Sequence, residues 1–218
     1  PPRRKTWRVA RKAVFLCLCD YYNTLNGQWS NVKYMDNFLL ELRSVEMLIS
    51  LGELQQALKR LIKLSQAYPE NHQVVSMMGE LYLNLGSPQK AIRPLQWATK
   101  QYLKEKGFEG KTTKSDEELK FVQELKKKSQ EKNENLLWNL WVNHFLLGCA
   151  YSKCQKFKTA LRHLNLADTI NPNNGEILRN IGWVEVMNGR LINGRALLMR
   201  AATLEPENAH ALNDLGAS

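Results

Sequence analysis

Residues 147–172 read LGCAYSKCQKFKTALRHLNLADTINP, and this stretch introduces a spacing that much of the chain follows. Its glycine, Gly148, recurs as Gly182 and again as Gly216, each 34 residues after the one before. Its closing proline recurs at the same distance, as Pro206. A fixed period of this length, marked by small residues, apolar residues and proline, is typical of an array of helical pairs.

The same period extends toward the start of the chain and is interrupted once. Ala57 and Ala91 lie 34 residues apart, whereas Ala91 and Ala160 lie 69 apart, so an insertion of 35 residues separates the second unit from the third. We therefore divide the chain into a basic N-terminal helix and connector (1–37), two repeats (38–102), a charged insertion (103–137), and two further repeats with the start of a fifth (138–218).

The joint pattern resembles the tetratricopeptide repeat family. Small residues let the two helices of a unit approach closely, larger apolar residues fill the space around them, and proline ends the second helix. The resemblance implies an all-α fold, a right-handed superhelix of stacked helical pairs, with an extra N-terminal helix and a charged helical insertion. The pattern is carried by Met78, Gly79, Tyr82, Ala91, Leu95 and Ala98, by Leu147, Gly148, Tyr151, Ala160, Leu164, Ala167 and Pro172, and by Ile181, Gly182, Gly194, Leu198, Ala201 and Pro206.

Turn and cap signals place the individual helices. Asn171-Pro172 and Glu205-Pro206 are typical inter-repeat turns, so we predict helices at about 141–153, 157–170, 175–187 and 191–204. In the first half we predict helices at about 38–50, 54–68 and 73–85, and one that starts at Pro88. Pro94 lies inside this last helix, where it removes a backbone hydrogen bond and is predicted to kink the helix.

The insertion is rich in charge but almost neutral, with nine lysines against eight acidic residues. Ser115 and Glu118 have the spacing of a capping box, and Leu119, Val122 and Leu125 form a narrow apolar stripe behind it. Two interpretations stay open. The insertion is either a solvated hairpin without a partner, or an arm that docks on its own solenoid or on a neighbouring subunit.

The first 37 residues carry half of the net charge of +10. Apolar residues from Trp7 to Thr24 recur at helical spacing, which predicts a helix. This helix is either a solvated element beside the first repeat or a contact for nucleic acid, anionic lipid or an acidic partner. The candidate contacts are Arg3, Arg4, Lys5, Arg8, Arg11 and Lys12.

The family resemblance implies that the first helix of each repeat lines an inner groove that binds a partner. Phe145 and Cys149 stand where chaperone-docking members of the family have lysine and asparagine, so we do not expect a carboxylate clamp. The groove is instead apolar and suits an amphipathic helix or an extended apolar peptide, unless a terminal segment of this chain fills it. The candidate groove residues are Val142, Phe145, Cys149, Arg179, Asn180, Trp183 and Met187, with Val186 beside them.

No pattern in the sequence indicates catalysis. We find no HExxH, glycine-rich phosphate loop or GxSxG elbow, and the histidines and cysteines lack a ligand pair at a usual spacing, so we expect no catalytic residue, metal or cofactor. The longest apolar run, Ala13–Cys19, is too short to span a bilayer, and Tyr21-Tyr22 argues against a signal peptide. Four cysteines without a CxxC motif favour a reduced intracellular setting, which we expect to be the cytoplasm.

Together these patterns predict a non-enzymatic protein–protein interaction module or assembly scaffold. The unit that begins at Leu215-Gly216 is cut short, so we expect the array to continue or to meet another chain in a larger complex. Two alternatives remain: a chaperone of secreted or membrane-inserting proteins, and a nucleic-acid-associated scaffold that acts through its basic N-terminus.

Overall fold

Helices are the regular structure of this chain wherever it is described. The structure is a computed structural model that describes residues 32–105, 120–127 and 138–218. No strand occurs within these ranges, which confirms the all-α prediction for them. The helices, numbered here in chain order, are α1 (Val32–Leu51), α2 (Leu54–Ala67), α3 (His72–Asn84), α4 (Pro88–Glu105), α5 (Trp138–Lys153), α6 (Phe157–Ile170), α7 (Gly175–Met187), α8 (Leu191–Leu204) and α9 (Ala209–Ala217), with a further helical segment at 120–127.

The contacts within the chain divide it into two units, residues 1–44 and 45–218. The first unit is represented by residues 32–44, which form the first part of α1. The predicted helix at Trp7–Thr24 lies outside the described residues. The second unit holds the end of α1 and all later helices.

Short turns join the two helices of each repeat and reverse the chain between them. Gly86, between α3 and α4, has φ +71°, and Gly189, between α7 and α8, has φ +83°. The corresponding turn between α5 and α6 places a non-glycine residue, Gln155, in the same left-handed region, at φ 58°. Because such turns are only a few residues long, consecutive helices lie antiparallel and side by side.

Close packing of the paired helices depends on small residues in their contact. A Cβ atom added to Gly148 would lie 2.5 Å from Leu164 Cγ, and one added to Gly79 would lie 2.5 Å from Leu95 Cγ. The leucines therefore occupy the space that the glycines leave open. Fully buried residues of α3 to α7 continue this packing from repeat to repeat as one core, which includes Ala91, Leu95, Leu147, Ala160, Leu164, Ala167 and Ile177.

The observed helix ends agree closely with the predictions in the second half and differ at two places in the first. Helices α6, α7 and α8 begin and end at the predicted residues. Helix α1 is already helical at Val32, six residues before the predicted start, because no glycine or proline interrupts the stretch between Gly27 and Phe38. Helix α4 continues past Pro94 to Glu105, three residues beyond the predicted end of the second repeat, and the kink at Pro94 stays a prediction.

The part of the insertion that the structure describes packs against its own solenoid. In the segment 120–127, Phe121, Val122 and Leu125 are buried together with residues from α4, α5 and α6. Lys126 adds a polar contact, since its Nζ donates a hydrogen bond to the carbonyl oxygen of Thr169 at 2.9 Å. Of the two interpretations of the insertion, this segment follows the docked one. The predicted capping box at Ser115 and Glu118 lies outside the described residues.

Candidate functional site

The first helices of successive repeats form one side of the second unit. Helix α3 contacts α5, α5 contacts α7, and α7 contacts α9. Among the described helices, the second helices α2, α4, α6 and α8 make no comparable contacts with one another. The first helices therefore lie closer together than the second helices, as expected for the inner side of a curved stack. We call the surface of α3, α5, α7 and α9 the inner face.

Polar side chains connect neighbouring helices along the inner face. Ser76 of α3 donates a hydrogen bond to Asn143 Oδ1 of α5. The Cys149 thiol of α5 contacts Asn180 Oδ1 of α7 at 3.5 Å. These contacts fix how one repeat lies on the next, because each joins residues that are distant in sequence.

Two predicted groove residues, Cys149 and Asn180, are thus engaged with each other. Burial raises the pKa of the Cys149 thiol to about 12, so the thiol stays protonated and acts as the donor toward Asn180. The Asn180 amide nitrogen in turn donates to the backbone oxygen of Glu176 at 2.8 Å. Both side chains therefore serve the packing of α5 against α7. A neutral thiol of this kind is also a poor nucleophile.

Arg179, a third predicted groove residue, lies between two carboxylates. Its Nε and Nη2 atoms donate to Glu176 at 3.1 and 2.6 Å, and its Nη1 atom donates to Asp214 of α9. Burial by itself would raise the pKa of Glu176, but the hydrogen bonds and charge of Arg179 outweigh it and hold this pKa below its usual range. Burial would likewise lower the pKa of Arg179, and the two carboxylates raise it instead. This ionic cluster joins α7 to α9.

The apolar residues predicted for the groove divide into packed and open ones. Phe145 packs against the core and lies 6.5 Å from the Trp141 ring, centroid to centroid. Val186 approaches Gly194 of α8, so it belongs to the contact within its own repeat.

Trp183 and Met187 of α7 are the open apolar residues of this set, together with Val142 of α5. Trp183 and Val142 are partly exposed. Met187 is 50% exposed and stands at the end of α7. Trp183 has the largest side chain of these three residues, and binding in the predicted groove stays a prediction.

A buried histidine pair is a feature that the sequence did not reveal. His144 Nδ1 and His163 Nδ1 lie 3.1 Å apart, and the His163 ring stacks on Tyr151 with a centroid distance of 5.5 Å. Burial lowers the pKa of His144 to about 3 and that of His163 to about 4, with the neighbouring charge of Arg162 acting in the same direction. Both rings are therefore neutral at pH 7, and one N–H can lie between the two Nδ1 atoms. Their spacing in the sequence matches no motif, because the contact arises only when α5 packs on α6.

Three further expectations from the sequence concern the basic residues near the N-terminus, a metal site and membrane-spanning helices. The basic candidates Arg3, Arg4, Lys5, Arg8, Arg11 and Lys12 lie outside the described residues. Among the residues that are described, no group of three or more metal-ligating side chains comes together. No helix in the described ranges has both the length and the apolar character needed to cross a membrane.

One part of the chain matches a known protein family. Residues 143–174 match the family model of the tetratricopeptide repeat. No curated protein matches the chain.

Solved structures share the fold at low sequence identity. One crystal structure of MamA is 15% identical, covers 79% of this chain and 81% of its own, and has a TM-score of 0.54. A second crystal structure of MamA protein is 14% identical, covers 83% and 79%, and has a TM-score of 0.55. A structure of MamA AMB-1 is 16% identical, covers 92% and 91%, and has a TM-score of 0.51. Residues 143–174 therefore match a tetratricopeptide repeat, and the described helices share the fold of these MamA structures.

Proposed function

We propose that this chain is a non-enzymatic scaffold that binds a segment of a partner protein on the inner face of α5, α7 and α9. A helical-repeat fold of this kind presents an extended surface for protein partners. The observation that carries the proposal is the partial exposure of Trp183 on that face. Aromatic side chains of this size contribute strongly to binding, because they bury a large apolar area with little loss of conformational entropy.

The chemistry of the inner face favours an apolar partner segment. The polar groups around Trp183 already have partners inside the fold, as the contacts of Asn180 and Arg179 show. A ligand that relied on these groups would first have to break contacts that hold α7 to α9. An apolar side chain placed on Trp183 and Met187 meets no such cost. We therefore assign the partner an apolar anchor residue, presented by an amphipathic helix or an extended peptide.

A capture experiment with point variants tests this proposal. The immobilised chain is exposed to extract from its own cells, and the recovery of each retained protein is compared between the wild type, Trp183→Ala and Lys158→Ala. Trp183→Ala should reduce recovery of a specific partner at least about tenfold, whereas Lys158→Ala, an exposed change on α6, should not alter it. Equal recovery with all three proteins, at equal folded fraction by circular dichroism, would refute binding at the inner face.

The two alternatives and the cytoplasmic location remain hypotheses. A chaperone role would use the same inner face for unfolded segments, and a nucleic-acid role would use the basic residues near the N-terminus. Neither has a specific observation among the described residues in its favour.

A further inference from the structure

The outward side of α8 carries large apolar side chains in solvent. Ile192 is 86% exposed and Met199 is 58% exposed. They are seven residues apart, so they lie on the same side of the helix, about 10 Å from each other along its axis. Arg195 and Ala196, which are also exposed, lie between them. We call these four residues the outer strip.

The repeat period provides an internal control for this exposure. The residues of α6 that correspond to Ile192 and Met199 are Lys158 and Asn165, and both are exposed although α7 packs against α6. The corresponding residues of α4 are Gln89 and Gln96, which are exposed as well. The two α6 positions therefore stay in solvent although a further repeat follows α6, whereas Gln96 also donates a hydrogen bond to the Tyr151 hydroxyl of α5 at 3.1 Å. Helix α8 differs from α4 and α6 because it has apolar side chains where those helices have polar ones.

The charged residues of α8 itself are all positive. Helix α8 contains Arg195 and Arg200 and no acidic residue. Arg200 donates a hydrogen bond to Asn173, and its charge also acts on the Asp168 carboxylate of α6. The Arg195 guanidinium has no hydrogen bond or ion pair within the described part of the chain. An apolar strip flanked by positive charge attracts a surface that is apolar in the middle and negative beside it.

We propose that the outer strip binds an amphipathic helix of a partner protein whose apolar stripe is flanked by acidic residues. The apolar stripe covers Ile192 and Met199, and the carboxylates lie against Arg195 and Arg200. This site is separate from the inner face, so a chain with both sites holds two partners at once. It does not depend on the function proposed for the inner face.

Two other occupants fit these observations less well. A second copy of this chain, related by a two-fold axis and docked through the same strip, would place Arg195 and Arg200 near their own equivalents, which costs binding energy. A membrane surface is usually bound by helices with many lysines and with aromatic side chains on the apolar side. The outer strip has no aromatic residue and only two flanking cations.

Designed peptides test the proposal directly. Three labelled helical peptides share one leucine stripe and differ only in the flanking residues, which are glutamate, glutamine or lysine. Their dissociation constants for the purified chain are measured by fluorescence anisotropy. The glutamate peptide should bind at least about tenfold more tightly than the lysine peptide. Equal affinities for the glutamate and lysine peptides, or no binding of the glutamate peptide, would overturn the proposal.

Variants of the strip locate the binding. The double variant Ile192→Gln with Met199→Gln reproduces the side chains of α4 at exposed positions and should weaken binding of the glutamate peptide at least about tenfold. Arg195→Glu leaves Arg200 as the only flanking cation and should largely abolish the preference for the glutamate peptide over the lysine peptide, while Lys63→Ala, an exposed change on α2, should leave the affinities unchanged. Affinities that do not respond to the double variant would refute the site.

Two further measurements distinguish the other occupants. Sedimentation of the wild type with phosphatidylserine vesicles should show no binding that depends on Ile192. Sedimentation velocity of the wild type and the double variant should show the same oligomeric state. The proposal would be overturned if the wild type bound vesicles or formed a dimer, if the double variant did not, and if the wild type bound none of the peptides. The strip would then belong to a membrane or to a second copy.

Discussion

Gly182 of α7 and Gly194 of α8 bring the backbones of their two helices into direct contact. A Cβ atom on Gly182 would lie 2.9 Å from the backbone oxygen of Gly194, and a Cβ atom on Gly194 would lie 2.7 Å from the backbone oxygen of Gly182. In the two preceding repeats the corresponding glycine meets the end of a leucine side chain instead. A backbone atom cannot rotate away as a side chain can, so this contact tolerates less change than the other two.

This contact predicts that Gly194→Ala destabilises the protein. The new methyl group would collide with the Gly182 carbonyl and with Val186, and the cost should exceed the gain in helix propensity and lower the free energy of unfolding by about 2 kcal/mol. The same change at Gly216 is the control, because nothing lies within 4 Å of its Cβ position, and it should be neutral or stabilising by less than about 1 kcal/mol. Urea unfolding followed by circular dichroism measures both. A neutral Gly194→Ala would contradict the close approach.

The turn between α5 and α6 predicts a stabilising substitution. Gln155 has φ 58°, a conformation that costs a non-glycine residue about 1 kcal/mol or more. Gln155→Gly should relieve this cost and raise the free energy of unfolding by about 0.5 kcal/mol, after the greater freedom of glycine in the unfolded chain is subtracted. Lys156→Gly is the matched control and should destabilise, because φ there is −91°. If both variants lose stability equally, the conformation assigned to Gln155 is wrong.

The buried pair of His144 and His163 predicts that stability falls in mild acid. The folded-state pKa values, about 3 and about 4, lie below the ordinary value of 6.5, so the unfolded chain takes up protons first as the pH falls. The stabilisation is fully present above pH 6.5 and is lost progressively below it, with a slope of at most about 1.4 kcal/mol per pH unit for each histidine. Urea unfolding at pH values from 7.5 to 5 measures this slope.

A variant separates the histidine contribution from that of other groups. His163→Gln should remove about one proton from the difference between the unfolded and folded states, so its stability should depend less steeply on pH in the same window. The comparison concerns the slope, so an overall loss of stability in the variant does not affect it. An unchanged slope would show that these rings are not the groups that titrate.

The docked segment of the insertion predicts that its buried side chains stabilise the second unit. Val122 is 1% exposed, and Phe121 beside it packs in the same cluster. Phe121→Ala should lower the free energy of unfolding by about 3 kcal/mol, because the cavity it leaves lies between α4, α5 and α6. Glu124→Ala, an exposed change on the same segment, should alter it by less than about 0.5 kcal/mol. Thermal and urea unfolding that does not distinguish the two variants would mean that the segment contributes nothing to stability.

The local parts of the fold could be predicted from the sequence because they depend on neighbouring residues. The 34-residue period, the prolines at 172 and 206 and the glycines at 148 and 182 were sufficient to predict the array and the ends of α6, α7 and α8. Turns, caps and helical periodicity act over a few residues, and a repeat copies the same packing problem from one unit to the next.

The tertiary structure alone decided which side chains of the inner face are available. The sequence predicted Cys149, Asn180 and Arg179 as groove residues. In the structure, Cys149 contacts Asn180, and Arg179 donates hydrogen bonds to Glu176 and Asp214. The contact of Cys149 with Asn180 and that of Arg179 with Asp214 each join residues about one repeat apart. Whether two such side chains meet depends on the offset and rotation of one repeat against the next. The repeat period fixes that helices stack, but the geometry of the stack determines which polar groups satisfy one another and which apolar groups remain in solvent.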